Sequence, residues 1–137
     1  MKYELKKNRE KEFMVQDKDT DIKERSFDFA ICIVNFVLSF TKNRPLERMS
    51  DQLLRSGTSV GANIEEATGG MSRKEFIHSM NIAKKEARET NYWLRILYHS
   101  KLKPLVELDE LNRLMQESGE LVKILTAIVK TSQQNLR

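Results

Sequence analysis

The side chains best suited to chemistry in this sequence form a row of bases along one helical stretch: Lys84, Lys85, Arg88, Arg95 and His99, with Tyr92 among them. At about 100° per residue these six share one face, away from Glu75, Glu86 and Trp93. Cations interleaved with an aromatic ring can bind phosphates and stack on a nucleobase. The same pattern also describes an ordinary solvated helix face. A second polar set, Arg55, Ser59, Asn63 and Glu66, recurs on one side of the preceding stretch. It reads either as a surface for RNA or another partner, or as an ionic and hydrogen-bonded network between helices or subunits. In such a network a planar guanidinium pairs a carboxylate with fixed geometry.

The inventory for catalysis is poor. His78 and His99 lie on different turns, Cys32 is the single cysteine, and no histidine pair or His–Glu spacing proposes a zinc site. Glu65 and Glu66 are adjacent and therefore point to different sides of a helix, so they do not form an acid/base pair. The stretch Gly57 to Asn63 has glycines but no lysine in phosphate-loop register. Trp93 lies with Ile82, Glu86, Glu89 and Ile96, which predicts packing with the indole donating to a carboxylate. No enzyme activity, metal, cofactor or small-molecule substrate is expected.

Positioning these residues falls to the whole chain. Its 137 residues suit one domain with a real core, and 39% hydrophobic content with only five Gly and two Pro favours long helices over sheets. A lone cysteine in an apolar stretch predicts a buried reduced thiol and a cytoplasmic setting. The start, Met1 to Lys7, leads into no apolar core, so no secretory signal is expected. The run Phe27 to Phe40 is too short for a membrane span and contains Asp28 and Asn35. Net charge is only +4, but residues 42–103 carry twelve bases against seven acids. The surplus sits on the middle helical hairpin, where a nucleic-acid partner would have to bind.

Stop signals divide the chain into an N-terminal arm, residues 1–20, and an all-α domain, residues 21–133. The arm reads either as frayed chain or as a short extra helix. The first long helix runs from about Asp21 to Phe40, ending before Pro45, a residue suited to the first turn of the next. The second spans Pro45 to Thr68 and stops at Gly69-Gly70. Ser72-Arg73-Lys74-Glu75 is a capping box that opens the third, which runs to about Ser100. The fourth covers Leu108 to Ser132. Apolar residues recur at three- and four-residue steps in the last three helices, and the short links favour an antiparallel up-and-down four-helix bundle. Ser56, Gly57 and Gly61 would let another backbone approach the second helix closely.

The first helix is apolar on two sides. Phe27, Ala30, Ile31, Val34 and Leu38 form one stripe; Phe29, Ile33, Phe36 and Phe40 form another, nearly opposite. One bundle core cannot cover both, so the second stripe, with its three phenylalanines, is expected to be an oligomer interface. The alternative is that the N-terminal arm folds over it.

The run Leu53-Leu54-Arg55-Ser56-Gly57-Thr58-Ser59-Val60-Gly61-Ala62-Asn63-Ile64-Glu65-Glu66-Ala67 carries a family likeness. With Ser72-Arg73-Lys74-Glu75-Phe76 and the run Ala83 to Leu94, it resembles the bacterial four-helix-bundle family, also called the 23S rRNA intervening-sequence protein family. The resemblance covers about Ile22 to Ser132. It implies a small bundle, encoded in some bacteria within insertions in the 23S rRNA gene, with ring-like homopentamers among its members. The sequence also looks like the accessory variability protein of diversity-generating retroelements, a basic pentameric bundle that works with a reverse transcriptase and nucleic acid. This chain departs from that protein in being only mildly basic. The expected partners are further copies of the chain itself, as a pentamer, and RNA or another nucleic acid.

Overall fold

The computed structural model describes residues 21–70 and 72–135. The expectations for residues 1–20 lie outside the described residues. Four α-helices account for most of the rest: α1 (Ile22–Leu38), α2 (Arg44–Ala67), α3 (Arg73–His99) and α4 (Leu108–Gln134), with a short 3-10 turn at Lys103–Leu105 between the last two.

The first three helices start where a side chain satisfies an early amide, whereas α4 opens at Glu107 without a side-chain cap. Asp21 accepts from Lys23 N at 3.0 Å, Asn43 from Leu46 N at 3.1 Å, and Ser72 from Glu75 N at 3.2 Å. Pro45 occupies the first turn of α2, where its missing N–H leaves no bond unmade. After α2 the chain turns through Gly70, whose φ of 89° lies in the left-handed region open to glycine. The expected boundaries hold to within two residues, because caps and breakers are local signals.

The helices pack in cyclic order. α2 lies against α1 and α3, α3 against α4, and α4 closes back on α1 more sparsely. Cross-helix pairs fix the directions. Ser26 meets Gly61 while Ile33 meets Gly57, and Arg25 reaches Glu117 while Arg113 reaches Cys32. α1 therefore runs antiparallel to both α2 and α4, the up-and-down arrangement expected. Leu46, Leu53, Val60 and Ile64 from α2, Met80, Ala83, Ala87, Leu94 and Leu97 from α3, and Leu111, Leu114, Leu121 and Leu125 from α4 fill the centre.

The two apolar stripes of α1 are placed the other way round from the expectation. Phe29, Ile33 and Phe36 are buried in the bundle core at 2%, 0% and 2% exposure, with Phe40 packed edge-on against Phe36 at 4.8 Å between ring centroids. They cannot form an outward-facing oligomer interface. Solvent instead meets Phe27, Val34 and Leu38, the last at 75% exposure. The cause lies on α2: at Gly57 and Gly61 there is no side chain, and α1 lodges Ile33 and the Ser26 backbone in the space. A Cβ added to Gly57 would sit 2.9 Å from Ile33 Cγ1. Hydrophobicity alone could not choose between two greasy faces; the fit against α2 does.

This placement is testable by urea unfolding. Ile33→Ala should cost about 2–5 kcal/mol at every protein concentration, the range for truncating a buried aliphatic side chain. Leu38→Ala should change the stability of the dilute protein by less than about 0.5 kcal/mol. The reverse ranking would restore the Phe29–Phe40 stripe as the outer face.

Candidate nucleic-acid interface

α3 sits diagonally across the bundle from α1, with α2 and α4 on its flanks. Its outward side carries the basic row. Lys85, Arg88, Arg95 and His99 are exposed, Tyr92 is half exposed, and Lys84 is partly covered. Among the described residues, no carboxylate comes within ion-pair distance of Lys84, Lys85, Arg88 or Arg95. At the last turn His99 packs edge-on against Tyr98, with ring centroids 5.0 Å apart, and Lys103 Nζ lies 3.9 Å from the Tyr98 centroid.

Two α3 carboxylates that could neutralise this row are engaged elsewhere. Arg55 of α2 donates to Glu86 Oε2 at 3.1 Å and, through its other terminal nitrogen, to Glu89 Oε1. Trp93 Nε1 donates to the same Glu89 oxygen at 3.3 Å, the indole–carboxylate contact expected from the sequence. The hydrogen bond from Arg55, reinforced by that from Trp93 and opposed by burial, holds the Glu89 carboxyl below the usual carboxylate range. The other polar residues of the α2 run stay local. Ser59 donates to Arg55 O, Asn63 to Ser59 O, and Glu66 faces solvent. Of the four, Arg55 is the one whose hydrogen bonds cross to α3.

A second network reaches the basic face from α4. Asn91 Nδ2 donates to Met115 O at 3.1 Å and to buried Ser118 Oγ at 2.9 Å. Both donations fix the amide, so its oxygen points along α3, where it accepts from Arg95 Nε at 2.9 Å. The Arg95 guanidinium lies over Tyr92, 5.7 Å from the ring centroid, and Tyr92 meets Trp93 edge-on at 5.3 Å. Asn91 and Ser118 were not singled out from the sequence. The available signal was an asparagine four residues before an arginine, on the flank of a helix, a common arrangement that does not reveal its partner.

The profile of the 23S rRNA-intervening sequence protein family matches residues 18–127. The chain belongs to this family. It is also similar to a crystal structure from Bacteroides thetaiotaomicron VPI-5482, described as a protein with unknown function from the S23 ribosomal protein family. The two share 40% sequence identity with a TM-score of 0.72, over 80% of this chain and 99% of that one. No functionally curated protein matches. Among the described residues of this family member, no helix is long and apolar enough to cross a membrane, and no three His, Cys, Asp or Glu side chains are grouped to hold a metal ion.

The Arg55 clamp makes a prediction about acid. Because the Glu89 carboxyl is depressed in the folded protein, its contribution is present above the ordinary glutamate pKa of about 4.3 and disappears as pH falls through the lower folded value. Arg55→Ala should therefore be slightly less stable at pH 7, by under about 1 kcal/mol for a partly exposed pair. The gap to the wild type should close as pH falls from about 4.5 toward 3. Urea midpoints measured across that range check it; a gap independent of pH would assign the loss to packing.

Proposed function

We propose that this family member is a non-catalytic, self-associating four-helix scaffold of the cytoplasm that binds RNA through the outer face of α3. The observation that carries the reading is the row Lys84, Lys85, Arg88 and Arg95, which has no carboxylate within ion-pair distance among the described residues and lies beside a half-exposed tyrosine. Phosphate binding by such a row is electrostatic and releases counterions. Arg55 engages Glu86 and Glu89 from the α2 side, although Glu89 also feels the charge of Lys85.

The non-catalytic part rests on where the perturbed ionisable groups lie. Glu117 raises the pKa of Arg25 through a two-point hydrogen bond at 2.6 and 2.9 Å between α1 and α4. Burial opposes the charge on Arg113, but its bonds to Glu110 and Cys32 outweigh that and leave its pKa raised. Together with Arg55–Glu89, these groups tie helices together rather than converge on a cleft. Self-association is supported by the outer α1 stripe of Phe27, Val34 and Leu38, an apolar surface of the kind interfaces cover. Resemblance to ring-forming bundles makes five the expected number of copies. The competing reading, a protein-interaction scaffold that binds no nucleic acid, draws on the same stripe.

Two measurements test the proposal. Binding of a labelled RNA should weaken steeply with salt, and Lys84→Ala/Lys85→Ala/Arg88→Ala should reduce the log–log salt slope by about 1 for each phosphate contact removed. Salt-insensitive binding, or none, would leave the protein-scaffold reading. In sedimentation equilibrium the wild type should weigh about five times the 16.0 kDa chain, and Leu38→Glu should shift it toward 16.0 kDa. A wild-type monomer would reject self-association.

A further inference from the structure

Resting on the reading of α3 as a nucleic-acid surface, we infer that this face selects single-stranded over duplex nucleic acid by stacking an unpaired base on Tyr92, with Asn91 as the positioning residue. Tyr92 stands between Arg88, one turn before it, and Arg95, three residues after it, and remains 50% exposed. Steps of three and four residues advance about 4.5–6 Å along a helix, so phosphates on either side of a stacked base can meet a cation. A duplex offers its phosphates to such a row but keeps its base faces stacked on one another; in A-form RNA the major-groove edges are also out of side-chain reach. Lys85 and Arg88 would thus serve both forms. Tyr92 would serve only the strand whose bases are free.

A loose tyrosine beside flexible arginines would pay the ordering entropy on binding. Here that freedom is already restricted by a chain of bonds anchored in α4. Ser118 is fully buried, Asn91 donates to it and to the Met115 carbonyl, and the opposite end of the same amide holds Arg95 over the ring. Trp93 braces Tyr92 edge-on and is itself tethered to Glu89. Asn91 need not touch the ligand. Its part is to hold Arg95 where it both backs the ring and presents charge to a neighbouring phosphate. Tyrosine reads a π-face and not the sugar, so RNA and DNA single strands should be bound alike.

The experiment measures binding of the full chain by fluorescence anisotropy to three probes: (rU)12, (dT)12 and a twelve-base-pair RNA duplex. Tyr92→Ala should weaken both single strands about tenfold, within the range for losing one stacked base, while Tyr92→Phe retains binding. Duplex affinity should change less than about twofold, because its phosphate contacts remain. Asn91→Ala should weaken the single strands about threefold and the duplex by less than about twofold, since it loosens the ring and the Arg95 guanidinium but removes no charge. A second readout uses the unmutated protein: Trp93, the sole tryptophan, should change emission on titration with (rU)12 and not with the duplex. If Lys85→Ala/Arg88→Ala weakens all three probes but Tyr92→Ala weakens none or all equally, base stacking is overturned and the phosphate-binding face survives. If the wild type binds no probe, both fall.

Discussion

The close approach of α1 to α2 at Gly57 and Gly61 is the constraint on which the other contacts depend. With no side chains at these positions, α2 offers a shallow channel, and Ile33 and the Ser26 backbone occupy it. That seating decides the rotation of α1, because Phe29, Ile33 and Phe36 follow inward together at helical spacing. Once they are inside, Phe27, Val34 and Leu38 have to face out. The two missing methyl groups on α2 thereby bear on which apolar surface the protein presents.

The remaining seams are closed with polar chemistry suited to how tightly each is packed. Between α2 and α3, Thr90 donates to Ser56 at 2.9 Å and Ser56 donates to the Gln52 carbonyl at 2.8 Å, so two buried hydroxyls are satisfied without separating the helices. Between α1 and α4, where contacts are sparser, long side chains bridge the space: Arg25 to Glu117, and Arg113 to Cys32, with Glu110 on α4 holding the Arg113 guanidinium from its own helix. Buried ion pairs contribute more to register than to net stability, since desolvation offsets much of their attraction.

Helix extents were legible because their signals are local: Asp21, Asn43 and Ser72 cap, Pro45 initiates, and Gly70 turns. The glycines of α2 were legible as a site of close approach, and Trp93 as a donor to a carboxylate. The rotation of α1 was not, because periodicity reports that a face is apolar and says nothing about which of two apolar faces finds a matching surface. The basic row could be read as a face, since it lies on one helix. Its surroundings could not: that Arg55 would hold Glu86 and Glu89, or that Ser118 would orient Asn91 and so Arg95, depends on which side chains the bundle brings together from segments far apart in sequence.

The diagonal placement of α1 and α3 bears on how the two proposed surfaces could operate together. Each contacts α2 and α4, so their outer faces point in opposite directions. A ring needs a head-to-tail interface, in which the patch on one copy meets a different patch on the next. If the α1 stripe is one half of that contact and the α3 row must stay open to nucleic acid, the other half has to be found on the outer sides of α2 or α4. Burying the α3 row against an apolar stripe would also desolvate four cations that have no carboxylate partner among the described residues, at a cost an apolar surface could not offset. The electrostatics of α3 thus restrict the geometry of any assembly built through α1.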